Sequence, residues 1–388
     1  MDAIRARRTA AMRTPAGRAS GARPARPGSR ALLVLFLVTA VASAQSDGPV
    51  MRAHFLDMGQ ADATLLEFPC GAVLIDAGAQ SADQVQRLTD HLQAFFARRP
   101  DLDETLDAVF VTHNHIDHTR ALMEVVETFN VRNYVDNGLT DGRASPGPRR
   151  LRDHVAATGA PIVVREVRDD EIVALAEAGE FGGLTDGAID PLACADCDPR
   201  IVVLSSSLAG NPGWSHHDFD NHNNHSLVIR VDFGEASFLF TGDLEEQAIE
   251  TLVLWYEQGD SDALDVDVYQ VGHHASANGT TANLMEAMSP SHAVISCGAS
   301  SFGRGSGSNF TTFAYGHPRR SIVEMLEREI PGRRSTALMV DVADGARNFT
   351  RMRVSKRVYA TAWDGTVRVR ADLDGGLRVT RDGPGTAP

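Results

Sequence analysis

Four cysteines in 388 residues exclude a disulfide-dense scaffold, in which bridges stand in for a core. No internal repeat is present, which sets aside solenoids and propellers. Past residue 44 no apolar run reaches bilayer length, so that part is not expected to cross a membrane. Positive charge is scarce in the body. The formal net charge is −14 overall, and about −26 over residues 45–314. An acidic surface repels polyanions at long range, so loose binding to nucleic acid is disfavoured. Residues 315–388 run the other way, at about +5, and offer a local Arg-rich face (Arg319, Arg320) for phosphate. What remains is ordinary: 43% hydrophobic and 23% charged residues, enough for a large core.

Residues 1–30 hold eight arginines and one acid, followed by a twelve-residue apolar run from Ala31 to Ala42. Ala42-Ser43-Ala44 then offers a small-x-small cleavage site. The combination predicts a signal peptide over 1–44 and export to a periplasmic or extracellular space. Twelve apolar residues are too few for a comfortable membrane span. In an oxidising compartment Cys194-x-x-Cys197 is expected to close a short disulfide, with Cys70 and Cys297 as buried thiols. Four cysteines allow three pairings, and the others stay open.

Apolar strands alternate with helical stripes. Residues 50–78 read as strands, 82–98 as a helix with Val85, Leu88, Leu92 and Phe95 on one face, and Asp107–Thr112 as a buried strand. The alternation predicts an α/β layered sheet. The Gly-, Pro- and Asp-rich stretch 137–200 reads as a weakly structured insertion, and 137–221 as partly insertion. Residues 45–335 are expected as one domain, and 336–388 as a small C-terminal β-strand extension.

Five motifs carry chemistry. His113-Asn114-His115-Ile116-Asp117-His118 follows a buried strand, and chain leaving a strand can aim alternate residues at one point. Imidazoles with a carboxylate suit zinc, and also manganese or iron. Asp243 follows a strand and a glycine, where a carboxylate can bridge two cations. Val271-Gly272-His273-His274 ends another strand. The loop 216–226 holds His216, His217, His222 and His225; His225 is nearest the strand leading to Asp243. Tyr315-Gly316-His317-Pro318 supplies a candidate proton donor, His317. Alone, the last four have bland readings as turns or solvated loops. Their joint order does not.

That order resembles the metallo-β-lactamase superfamily, and within it the hydrolase domain of competence-type DNA-uptake channels (ComEC-like). Phe55-Leu56-Asp57-Met58-Gly59-Gln60-Ala61-Asp62-Ala63, Asp76-Ala77-Gly78, Asn224–Arg230, residues 271–276 and residues 315–318 all match that branch's pattern. The resemblance implies an αββα four-layer sandwich with two metal ions in the cleft between its sheets. It assigns His113 and His115 to one metal, with His225 as candidate third ligand, and Asp117, His118 and His273 to the other. Asp243 lies between them. Ala61 and Ala275 replace glycines of the pattern, and 298–313 is inserted. No channel domain is present, so the chain is not read as an uptake pore.

The expected function is metal-dependent hydrolysis by a metal-bridging hydroxide, with two divalent ions, Zn first, as cofactors. Asp117 would orient the nucleophile, and His274 or His317 would assist the leaving group. The expected substrate is a phosphodiester, from a small molecule or nucleic acid. The alternatives are an acyl-bond (lactone, ester or β-lactam) hydrolase and a non-catalytic exported metal-binding module. Oligomeric state is not legible.

Overall fold

A computed structural model describes residues 48–140 and 145–383 of the chain. The expected signal, 1–44, lies outside the described residues. The first half supplies β1 (Val50–Phe55), β2 (Thr64–Glu67), β3 (Ala72–Ile75), β4 (Thr105–Val111), β5 (Asn130–Asp136) and β6 (Val163–Glu166). The second supplies β7 (Arg200–Ser205), β8 (Val228–Phe233), β9 (Ala236–Phe240), β10 (Val268–Gln270) and β11 (His292–Ile295). After these come β12 (Arg333–Gly345), β13 (Asn348–Lys356), β14 (Val358–Ala360), β15 (Val367–Asp372) and β16 (Leu377–Arg381).

Two sheets result, ordered β16-β15-β1-β2-β3-β4-β5-β6 and β14-β11-β10-β9-β8-β7, with β12-β13 as a separate ribbon. In the first sheet, β3 to β6 run parallel. In the second, β9, β10, β11 and β14 do.

Side-chain alternation sets the layers. On β4, Ala108 and Phe110 face the second sheet, while Val109 and Val111 face helices. On β9, Phe238 and Phe240 point inward and Leu239 outward. The inner faces meet in one core. The helix Ala82–Arg98 lays Leu88, Leu92 and Phe95 on the outer face of the first sheet. Ser81 caps it by accepting from the Gln84 N–H at 3.4 Å. The helices Glu246–Gln258, Ala282–Met288 and Arg320–Glu329 cover the outer face of the second. Three apolar interfaces separate four layers, so the αββα sandwich expected from the sequence is the fold found. Each fully buried Phe or Leu contributes roughly 1.5–3 kcal/mol.

Three expectations are corrected. The stretch within 137–221 is not weakly structured. It carries three helices, Gly147–Thr158, Asp169–Glu177 and the short His216–Phe219, and both β6 and β7, an edge strand for each sheet. The strands expected in the C-terminal extension are found over 336–383, but β14, β15 and β16 join the two main sheets. β14 joins the second sheet, and β15 pairs antiparallel with β1 from Val50↔Asp372 to Phe55↔Val367. Finally, the disulfide joins Cys70 to Cys194, whose Cα atoms are 5.3 Å apart, and Cys197 and Cys297 are buried thiols. Cys197 instead sits in a turn, its N–H on Cys194 O and its Sγ toward Ala195 O.

Candidate metal centre

The site gathers at the carboxyl ends of parallel strands, where α/β sheets place ligands. β3 ends at Ile75, and Asp76 leaves it with φ +60°. One Asp76 oxygen accepts from Thr112 N at 2.8 Å; the other accepts from Thr112 Oγ1 at 2.8 Å and His118 Nδ1 at 2.7 Å. With Nδ1–H donated, the lone pair of neutral His118 sits on Nε2. His274 is set the same way, its Nδ1–H donated to Ser296 O at 2.8 Å. Two glycines allow the approach. A Cβ on Gly78 would lie 1.7 Å from Asp117 O, so only glycine lets this strand end meet the His-rich loop. Gly242, with φ +52°, is wedged where a Cβ would be 2.9 Å from both Thr112 and Ser226, and it delivers Asp243.

The Asp243 carboxylate lies among imidazoles. Its Oδ1 is 3.3 Å from His118 Nε2. Its Oδ2 is 3.9 Å from His113 Nε2 and 3.8 Å from both His273 Nε2 and His274 Nε2. Asp117 Oδ2 is 3.6 Å from His274 Nε2. His113 Nε2 and His115 Nδ1 are 3.0 Å apart. Two groups of donor atoms thus converge, His113-His118-Asp243 and Asp117-His118-His274, each within 4.8 Å.

The residues fit divalent cations. His118 Nε2, Asp243 Oδ1 and His274 Nε2 are buried yet have no hydrogen-bond partner. An orphaned buried polar atom costs about 1–3 kcal/mol, so three aimed at one place need a compensating charge. Ligands of tetrahedral zinc stand about 3.3 Å from one another, the His118–Asp243 separation.

A cation bound here would displace protons that the carboxylates otherwise hold on two of these rings. Burial disfavours charge on Asp243, but His118, His274 and His273 outweigh it and hold the carboxyl well below its usual range. Burial likewise opposes charge on His118, yet Asp243 and Asp76 raise it well above the ordinary imidazole value. His274 rises to about 9 against its burial, through Asp243 and Asp117. His113 and His115 are lowered, chiefly by burial, and so stay neutral and able to ligate.

A cleft of about 520 Å³ opens onto this cluster. His317 lines it, and its tautomer is fixed from behind. Thr312 Oγ1 donates to Gln60 Oε1 at 3.1 Å, which turns Gln60 Nε2 to donate to His317 Nδ1 at 3.0 Å. The proton of His317 is therefore on Nε2. Burial, with His274 and His273, keeps this ring far below the usual imidazole pKa. Tyr315 stacks on it at 5.4 Å. The rim is apolar: Ile116, Pro146 and Phe310 line it, with Phe310 63% exposed.

Of the residues singled out in the sequence, His113, His115, Asp117, His118, Asp243 and His274 come together. His273, expected as a ligand, and His274, expected to assist the leaving group, both bring Nε2 to 3.8 Å from Asp243 Oδ2; His274 is the more buried of the two and also converges on Asp117. The cause is backbone: His273, His274 and Ala275 all have positive φ, which two adjacent histidines do not announce. The expectation for His225 is corrected. Its Nδ1 accepts from Leu208 N at 3.2 Å and its Nε2 donates to Phe219 O at 2.7 Å, so both nitrogens serve the loop. Its neighbour His222 is the one that reaches the first motif, 2.6 Å from Asn114 Oδ1 and stacked 6.2 Å from His115. Sequence reasoning missed Gln60 and also Asp62, a buried carboxyl pushed up to about 6 by burial and bonded to Gln270. Both lay inside the motif at 55–63 and were the cue.

The Metallo-beta-lactamase superfamily model matches residues 56–299. ComE operon protein 3 of Bacillus subtilis is 23% identical over 305 residues, covering 76% of this chain and 32% of that protein. Competence protein ComA of Neisseria gonorrhoeae is 30% identical over 142 residues, 34% of this chain and 18% of that one. Recombination protein 2 of Haemophilus influenzae is 38% identical over 76 residues, 20% of this chain and 9% of that one. The chain spans about a third or less of the length of these curated relatives. With the family match extending over the strands, the His-rich loop and Asp243, the chain belongs to the metallo-β-lactamase superfamily and has a ComEC-like resemblance within it.

Proposed function

We propose that this chain is an exported hydrolase of phosphodiester bonds that works with two divalent cations, zinc foremost. One observation carries the reading: three orphaned buried donor atoms, on His118, Asp243 and His274, meet at the floor of an open cleft. His113, His115, Asp117, His118, Asp243 and His274 would hold the ions. Divalent ions, when bound, would supply an acidified water and charge to offset that developing on phosphorus. Asp117, fixed next to His274, orients the attacking water. His317, neutral with its proton on Nε2, donates a hydrogen bond to the reacting group from the facing wall. Asp76 holds the His118 ring in the ligating tautomer. Among the described residues no Arg or Lys lines the cleft, so phosphate charge would rest on the cations alone. That suits a short or end-presented phosphodiester more than a duplex. The Cys70–Cys194 bridge supports export.

The apolar rim of Ile116, Pro146, Phe310 and Tyr315 favours a second reading, hydrolysis of a lactone, ester or β-lactam. Metal analysis of the purified protein and a panel of bis-p-nitrophenyl phosphate, short single strands, duplex, lactone and β-lactam separate the two. The expected result is chelator-sensitive phosphodiester turnover restored by Zn or Mn. Lactone or lactam turnover without phosphodiester turnover would replace the first reading by the second.

A further inference from the structure

A second cavity, of about 440 Å³, lies between the helices Asp169–Glu177 and Glu246–Gln258 and the loop 204–214. Its lining is mostly apolar, with two indoles, Trp214 and Trp255, and two carboxylates, Asp169 and Asp170. Trp214 spends its N–H on Thr251 Oγ1, another lining residue, at 3.2 Å. Among the described residues, neither Asp169 nor Asp170 has a basic side chain within ion-pairing distance, although many other acids here do. The carboxylates stand at the first turn of a helix, where acids are common. A helix start does not explain two tryptophans and a recess of ligand size beside them.

From this we infer that the cavity binds a small organic ammonium ion, free in solution, its apolar substituents against the indoles and its charge toward Asp169 and Asp170. An indole face attracts a cation through its quadrupole, and tryptophan does so best among the aromatics. An anion is repelled by the two acids. A neutral apolar molecule would strip water from them without return. The site is separate from the metal cleft and does not depend on the reaction proposed there.

The experiment uses the full-length protein and benzyltrimethylammonium as probe, followed by tryptophan fluorescence and by ligand-observed saturation-transfer NMR. Trp214 and Trp255 are two of only three tryptophans in the chain. Saturable quenching is expected, with affinity at least about tenfold above that of the uncharged carbon isostere. The double variant Asp169→Asn/Asp170→Asn, and separately Trp255→Phe, should each weaken binding by about tenfold while keeping the parent's circular dichroism. Asp243→Ala should bind as the parent does. Equal affinity for the uncharged isostere overturns the inference. So does unchanged affinity in the two carboxylate-and-indole variants, loss of binding in Asp243→Ala, or absence of a saturable signal by both methods.

Discussion

Asp136 and Asp243 are both carboxylates buried at the carboxyl ends of inner strands, and they have opposite surroundings. Asp136 closes β5, and each oxygen takes two donors. Tyr134 Oη and Arg152 Nη1 serve one at 2.6 and 2.8 Å; Arg152 Nη2 and Gly138 N serve the other at 2.7 and 2.9 Å. Asp243 follows β9, and its Oδ1 accepts no hydrogen bond. Beside it stand His118 and His274, whose Nδ1 atoms are already committed to Asp76 and Ser296 O. A carboxylate with all lone pairs filled by the protein is structural. One left open among ring nitrogens, at a cleft, is arranged for something the chain does not supply.

The contrast can be broken by mutation. Asp243→Ala should remove bound metal and lower turnover by at least about 10³-fold, roughly 4 kcal/mol of transition-state stabilisation, with the melting temperature of the chelated protein little changed. Asp136→Ala should do the reverse. It strands the Arg152 guanidinium and the buried Tyr134 hydroxyl, costs about 3 kcal/mol in denaturant unfolding, and leaves metal content whole. If both variants lost metal and stability alike, the distinction would fail. Asp76→Asn keeps an acceptor for Thr112 N but weakens the grip on His118 Nδ1. Metal affinity, read by competition with a chelator, should fall about 10–100-fold. His225→Asn should have the smallest effect, with full metal content and turnover within about threefold of the parent, because its ring serves the loop.

Much of this was legible beforehand. His113 to His118 and Asp243 stood directly after buried strands, and period-2 burial fixes where a strand's end points. Alternating strands and helices predicted a layered α/β sheet, and the resemblance to the metallo-β-lactamase superfamily supplied the four-layer sandwich. The segment 137–221 was misread because Gly, Pro and Asp punctuate short elements; the run Ile201-Val202-Val203-Leu204 is a buried strand in plain sight. The convergence of both His273 and His274 on Asp243 depends on left-handed dihedrals that neither residue signals. Disulfide pairing was open in principle, since spacing along the chain says nothing about Cα separation in space. β15 looked like a tail because its partner, β1, is more than 300 positions away.

The bond between Cys70 and Cys194 closes a loop of 124 residues. That loop contains the His-rich motif and β6, but neither β7 nor Asp243. Molecules oxidised before they finish folding therefore hold half of the metal cage on a tether, and those kept reduced must find the other half with the chain unrestrained. By loop entropy the tether contributes about 2–5 kcal/mol. Reducing the bond would therefore lower stability while leaving every metal-binding side chain in the chain untouched.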